Sequence, residues 1–319
     1  MINKTKIRFI RAGLITSLQG PPIYNLQHQG ITTSGPMDVF LSKIGNKILN
    51  NNEDKICFEI CNFGPKIKII KGKFIFLISG NINFDIQKKT KLIRGECNQT
   101  YELNKNDIID IKYTKKSNYA YLVFKGELEN ISNNFLNTTI LSSSLGLNKG
   151  NKISALDEYN LIFKSNFKHR KLNFNFLDYY NNKIRIVKGP QMNFFKIKDL
   201  KKFFDKKFII SKNLNRIGVR LIGNKIKPTV SVNIHSEGII KGSIQIPGDG
   251  NPIILAAEHP TIGGYPKIAS IIMADFSKFA QLTAGEKFNF VEVSIETAEI
   301  EYHEFKKNIK NIKKNIVYL

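Results

Sequence analysis

Two stretches of this 319-residue chain concentrate the residues from which a reaction site could be built. Residues 235–252 (HSEGIIKGSIQIPGDGNP) set four Gly and two Pro among Glu237, Gln245 and Asp249. Glycine tolerates positive φ and lets a ligand approach the backbone closely. Residues 261–266 (TIGGYP) follow Thr261 with Gly263 and Gly264, then Tyr265 and a Pro, a tight bend that presents a phenol. A β-turn accounts for either stretch alone. Two of them, separated by one short apolar strand (residues 252–257), point to a built site.

Two further segments carry charge or turn chemistry. Residues 215–223 (NRIGVRLIG) hold Arg216 and Arg220 four apart, on one face if the segment is a strand. That pair either captures a carboxylate or phosphate bidentately or forms a solvated basic face. Residues 33–38 (TSGPMD) read as a turn entering a helix, with Ser34 and Asp38 at its ends. Its backbone N–H groups either bind an anion at the helix N-terminus or form an ordinary capped turn. Phosphate loops, dinucleotide fingerprints, paired-His zinc helices and nucleophile elbows are absent. Cys57 and Cys61 flank Glu59 without a second pair, so they read as small buried apolar side chains, and no metal site is expected. His28, His169, His235, His259 and His303 show no metal-ligand spacing.

The elements that must hold these residues are mostly strands. Residues 74–79, 184–187, 229–234, 253–256 and 288–295 are short and apolar, β-branched or aromatic, and Gly-Pro or Pro-Gly punctuation recurs along the chain. Many short strands with frequent turns predict barrels or sandwiches. Helices are few: residues 39–49 behind Asp38, residues 275–282, and residues 197–204. Residues 130–152 lack periodicity and read as a long loop. A lobe boundary fits the polar cluster at 181–183, after the aromatic run 174–180. The expected organisation is an N-terminal β lobe over 1–182 with the 34–38 turn, a C-terminal lobe over 183–303, and a Lys-rich tail over 304–319, frayed or disordered.

Composition removes several classes. The longest clean apolar runs are five residues, against about 20 for a membrane-crossing helix. No secretory apolar region follows the basic N-terminus, which predicts a cytoplasmic protein without a membrane partner. The net charge of +23 resembles a nucleic-acid signal, but residues 231–303 carry four Lys against nine Asp and Glu. The motif-bearing stretch is therefore acidic, and the Lys excess travels with Asn and Ile, as in residues 306–314 (KKNIKNIKK). A solvated surface with compositional bias is expected, with no nucleic-acid partner.

In this order the segments resemble the allophanate hydrolase subunit 2 family. It includes the C-type subunits of 5-oxoprolinase, bacterial antagonists of a sporulation-kinase inhibitor, and the carboxyltransferase domain of urea carboxylase. Residues 237–293 carry most of the resemblance, supported by residues 34–38, Asn46, Glu59 with Gly64-Pro65, Gly189-Pro190-Gln191, and Arg216 with Gly218 and Arg220. The chain departs from the pattern in its first loop, where an expected acid and Arg are replaced by Gly20, Pro21, Pro22 and Ile23 after Gln19. Asn251 and Glu258 also stand where Gln and Asp are usual.

The resemblance implies a mostly β fold of two cyclophilin-like β-barrel lobes with a few short helices. It implies a subunit of an ATP-dependent hydrolase, using ATP with Mg²⁺ in the complex at a site that is atypical or shared with the partner subunit, that opens the lactam of 5-oxoproline to glutamate. The implied partners are a subunit 1-type protein, similar to the B-type subunit of 5-oxoprolinase, and a TIM-barrel-like A-type subunit. In such chemistry Gln245 and Tyr265 suit orientation of an amide, and Glu237 or Asp249 suits a base or a Mg²⁺ ligand. Ser34, Asp38, Arg216, Arg220, Thr261, Gly263 and Gly264 suit substrate or anion binding. The 34–38 turn, Arg216, Gln245 and Tyr265 are expected to line one cleft where the lobes meet. The alternatives are a biotin-dependent carboxyltransferase acting on urea or a related small amide, and a non-enzymatic regulator that antagonises a kinase inhibitor.

Overall fold

The computed structural model describes residues 2–129, 136–164, 167–174 and 179–319. Two compact units emerge, and each is discontinuous in sequence. The first comprises Met1–Pro22, Val39–Phe174 and Ile309–Leu319; the second comprises Ile23–Asp38 and Asn175–Asn308.

In the first unit a seven-stranded and a five-stranded sheet enclose one apolar core. Alternation decides which side chains enter it. Strand Ile82–Lys88 (INFDIQK) buries Ile82, Phe84 and Ile86 and leaves the residues between them half-buried. Strands Phe74–Ser79 and Tyr119–Phe124 are buried throughout, because helix Val39–Ile48 covers the second face of their sheet. Gly45 permits that approach: a Cβ there would lie 2.7 Å from Val123 Cγ2. Edge-to-face contact of Phe9 with Phe58, centroids 5.2 Å apart, joins the two sheets across the core.

The second unit is built on a closed seven-stranded barrel. Around it run Lys183–Lys188, Lys267–Ile271, Ser243–Gln245, Ile253–Leu255, Gly218–Ile222, Phe208–Leu214 and Lys287–Glu292. The last pairs in parallel with the first and closes the ring; every other pairing in the ring is antiparallel. Helix Ile197–Asp205 lays Phe203, fully buried, against Phe290 with stacked rings 4.9 Å apart.

Helix Met273–Gln281 is fixed to the first barrel strand by Asp275. Its carboxylate accepts hydrogen bonds from Arg185 N (2.9 Å), Nε (2.9 Å) and Nη2 (2.6 Å), and Lys278 Nζ lies 3.0 Å away.

The three expected helices form at Val39–Ile48, Ile197–Asp205 and Met273–Gln281. Four expectations are corrected. Residues 229–234 (TVSVNI) form no strand: Thr229 N and Ile234 N bond to Phe194 O and Gly264 O at its two ends, but no neighbouring strand pairs along it. The tail is ordered as helix Ile295–Asn311 and strand Ile316–Tyr318, which pairs with Arg170–Leu172. Apolar anchors explain this, since Phe305, Ile309 and Ile312 recur at helical spacing and are buried. Residues 23–38, expected in the N-terminal lobe, belong to the second unit. Within the expected loop 130–152, Thr139–Ile140 pairs with Leu145–Gly146, while residues 130–135 lie outside the described residues. Residues 175–178 of the aromatic run also lie outside them. Among the described residues, no helix is long and apolar enough to cross a membrane.

Burial opposes ionisation of Asp275, and the hydrogen bonds from Arg185 and the nearby Lys278 outweigh it, so its pKa lies below the ordinary 3.8. A carboxylate with a depressed folded-state pKa contributes stability above the unfolded value and loses it as pH falls through the folded one. Urea unfolding should therefore show stability dropping below about pH 4. Asp275→Asn should be less stable than wild type at pH 7 and show a flatter acid limb.

Candidate functional site

Three groups of polar side chains form within the second unit. The first is buried. Arg216, in the turn before strand Gly218–Ile222, places Nε 2.6 Å from Glu258 Oε1, with both side chains almost fully covered (8% and 1% exposed). Its Nη2 donates to Ser34 Oγ at 3.1 Å and to Gly35 O at 2.8 Å. Ala257 O accepts from Ser34 N (2.8 Å) and Thr32 Oγ1 (3.2 Å). The turn needs this clamp because Ser34 and Gly35 both have positive φ, 46° and 80°. Asp38 Oδ2 accepts from Tyr180 Oη (2.7 Å) and Gln281 Nε2 (2.8 Å). Burial and the charge of Asp38 hold the Tyr180 phenol in its protonated form.

Ser34, Asp38 and Arg216 therefore come together inside one unit rather than from two lobes. The guanidinium is already occupied by a buried carboxylate and by the turn it holds, which places Arg216 in a structural clamp.

The second group is exposed. Arg220 pairs with Asp249, whose carboxylate also accepts from Asn251 Nδ2 at 3.0 Å and Asn251 N at 3.2 Å. These hydrogen bonds and the Arg220 charge keep Asp249 below the usual carboxylate range. Arg216 and Arg220 do not share a ligand. The turn at 215–217 takes Arg216 out of the strand and inward, while Arg220 stays in register opposite Ile253.

The third group gathers Glu237, Gln245 and Gly263 from the glycine-rich segments and adds two residues. Glu237 lies opposite Gly263 in a short two-stranded pairing, and Gln245 lies opposite Lys267 in the barrel. Glu237 Oε1 accepts from Gln191 Nε2 at 2.6 Å and lies 2.7 Å from Lys267 Nζ. Gln191 Oε1 accepts from Lys267 N at 3.0 Å. The amide nitrogen of Gln245 is buried and, among the described residues, has no hydrogen-bond partner. A Cβ on Gly263 would lie 2.8 Å from it.

Thr261 O accepts from Ile239 N at 3.1 Å, and Gly264 O accepts from Ile234 N at 2.8 Å, so both shape the bend through their backbone. Tyr265 is exposed beside it. His259 is buried, with Nδ1 2.7 Å from Pro260 O, and burial lowers its basicity. Sequence reasoning assigns Lys267 no role. The signal for it is a lysine opening a short, mostly apolar strand, Lys267–Ile271 (KIASI), where a buried ammonium demands an anion.

Cys57 is buried with Sγ 3.6 Å from Gln19 O, and burial pushes its thiol pKa up, which disfavours the thiolate that a metal needs. Among the described residues, no three His, Cys, Asp or Glu side chains are placed to hold a metal ion.

The carboxyltransferase domain family, subdomains A and B, matches residues 29–292. The chain belongs to this family. Among the relatives of this carboxyltransferase-domain protein, the C-type subunit of 5-oxoprolinase from Escherichia coli (strain K12) is 25% identical over 303 residues, 92% of this chain and 93% of the relative. The protein of the same name from Haemophilus influenzae is 26% identical, covering 86% of this chain and 87% of its own length. Urea amidolyase of Lachancea kluyveri is 26% identical over 84% of this chain, which spans only 16% of that relative. The solved K. lactis urea amidolyase superposes with a TM-score of 0.83 at 24% identity, covering 98% of this chain and 21% of that one. The fold of this carboxyltransferase-domain protein is thus that of a segment about a fifth the length of the solved urea amidolyase chain.

Removing one partner of a buried ion pair costs about 3–5 kcal/mol, because the other charge stays in place without it. Arg216→Met should lose about that much stability in urea unfolding. Arg216→Lys should fall between it and wild type, since one ammonium cannot span Glu258, Ser34 and Gly35 together. The Arg216→Met/Glu258→Met double variant should recover a substantial part of the loss.

Proposed function

We propose that this chain is a subunit of an ATP-dependent 5-oxoprolinase complex, which opens the lactam of 5-oxoproline to glutamate. The observation that carries this reading is near end-to-end correspondence with two bacterial C-type subunits of 5-oxoprolinase (93% and 87% of their lengths), against 16–17% of the urea amidolyases. A lactam resists hydrolysis because amide resonance makes its carbonyl carbon a poor electrophile. Phosphorylation at the oxygen, one water for ring opening and a second to release phosphate complete the conversion, consuming one ATP.

The part assigned to this chain is binding and orientation. Gln245 and Glu237 hold the amide, and Lys267 and Gln191 hold Glu237. Tyr265, Thr261, Gly263 and Gly264 shape the wall beside them. Asp249 and Arg220, paired at the surface, are the second candidate pair for substrate charge or Mg²⁺. The glycine-rich segments here are turns and short strand pairings rather than a phosphate loop, so the ATP site is assigned to the assembled complex. The proposed partners are a subunit 1-type protein and a TIM-barrel-like A-type subunit, in the cytoplasm where ATP is available.

A second reading has specific support. The likeness in fold to a urea carboxylase chain (TM-score 0.83) and the family match favour a carboxyltransferase taking its carboxyl group from biotin on another chain.

Reconstitution with both partners tests the choice. The complex should release phosphate and form glutamate only when 5-oxoproline and ATP are both present, and the isolated chain should turn over no ATP. Robust ATP turnover by the chain alone, or carboxylation of urea by the chain with a biotin carboxylase and carrier, would overturn the 5-oxoprolinase reading.

A further inference from the structure

Among the described residues, the buried amide nitrogen of Gln245 meets no acceptor. A buried N–H donor without an acceptor is costly, and among the described residues four other buried side-chain atoms share this state; one is Lys267 Nζ, which meets Glu237 as an ion pair at 2.7 Å without a hydrogen bond. Gln245 Nε2 packs over Gly263 beside Ile239, an approach that only a glycine permits, since a Cβ would stand 2.8 Å from the nitrogen and 3.1 Å from Ile239 Cδ1. Directly opposite Gly263 in the strand pairing is Glu237. One of its oxygens is committed to Gln191 and Lys267, and among the described residues no hydrogen bond engages the other, Oε2. Lys267, opposite Gln245, balances the charge of Glu237, so the group as a whole is neutral.

A neutral patch with one donor and one strong acceptor on either side of a glycine has a defined complement. A free carboxylate would meet Glu237 with like charge. A cyclic –CO–NH– group offers a carbonyl oxygen and an N–H on the same edge. We infer that Gln245, Gly263 and Glu237 form a subsite for the –CO–NH– edge of a ring. In it Gln245 Nε2 donates to the carbonyl oxygen and Glu237 Oε2 accepts from the N–H. Lys267 and Gln191 are positioning residues that keep the Glu237 carboxylate aimed. The lactam of 5-oxoproline and the ureido ring of biotin both carry this edge. The subsite deepens the function proposed above, and it stands under either of the two readings given there.

Titration of the full chain, by calorimetry or saturation-transfer NMR, tests the assignment with four probes: 5-oxoproline, 2-pyrrolidinone, biotin methyl ester and proline. Binding of 2-pyrrolidinone or biotin methyl ester, with proline not binding, is the expected result, since proline keeps the ring and carboxylate but lacks the carbonyl. Gln245→Leu should weaken that binding at least tenfold while leaving the melting temperature unchanged or higher, because it removes a donor that the empty fold leaves unpaired. Gly263→Ala should weaken binding comparably, because its Cβ would stand 2.8 Å from Nε2 and push the Gln245 amide aside without removing any polar group. Lys267→Met should weaken it, because the carboxylate of Glu237 loses the ammonium 2.7 Å away that aims it, and Lys267→Arg should restore most of the binding.

Proline binding as well as 5-oxoproline, wild-type affinity in both Gln245→Leu and Gly263→Ala, or no saturable binding of any –CO–NH– probe would each overturn the subsite. Binding of biotin methyl ester and not of the lactams would keep the subsite and remove the 5-oxoprolinase reading. A reconstituted complex active on 5-oxoproline, with neither variant impaired, would keep that reading and remove the subsite.

Discussion

A sheet that closes on itself has no free edge, and here closure rests on one parallel pairing, between Lys183–Lys188 and Lys287–Glu292. Parallel partners must be joined by a long crossover, so everything between them in sequence is threaded around the ring. The glycine-rich segments are the connections of that ring. Strands Ser243–Gln245 and Ile253–Leu255 are only three residues long, so the loops beside them have little freedom once the ring is closed. Gln245 and Lys267 face each other on adjoining barrel strands, and Glu237 sits in a separate two-stranded pairing with Ile262–Gly263, which runs on into the strand of Lys267.

Buried charge divides into two kinds in this unit. Arg216 with Glu258, and Arg185 with Asp275, each join segments far apart in sequence and are saturated by hydrogen bonds. Such pairs return little net stability relative to apolar side chains of similar volume, but they fix which segment docks where. Lys267 with Glu237 differs, since one carboxylate oxygen is spent and the other is not. The contrast separates polar groups that complete the fold from those that the fold holds ready for something else.

Periodicity carried much of the architecture. Phe40, Ile44 and Ile48 at helical spacing, and Phe276 with Phe279, mark helices that form within a residue or two of where the pattern places them. The glycine and proline clusters mark the turns that hold Glu237, Gln245 and Gly263. What periodicity could not supply was partnership. Residues 229–234 have strand-like residues and no strand beside them, because β-propensity describes fit to a neighbour and the barrel is already complete without them. Arg216 and Arg220 look equivalent in sequence, and only the turn at 215–217 sends one inward to a buried glutamate and leaves the other at the surface. The two residues that steady Glu237 lie before and after it in the chain, and nothing local to Lys267 or Gln191 declares that they converge.

The interleaving of the two units bears on how the chain acquires its structure. Residues 23–38 dock on Ala257 and Arg216, and strand Arg170–Leu172 waits for Ile316–Tyr318. Neither unit can be completed by a nascent chain that has emerged only as far as residue 182. An early-emerging segment must be kept from premature partners until the second half appears, and strand Ile316–Tyr318 emerges later still to finish the first unit. Long-separation contacts of this sort slow folding and lengthen the interval in which apolar strands stand exposed. The same threading means that a cut near residue 182 yields two fragments that each lack a piece of their own core, so the halves are inseparable as folding units although they are distinct as bodies.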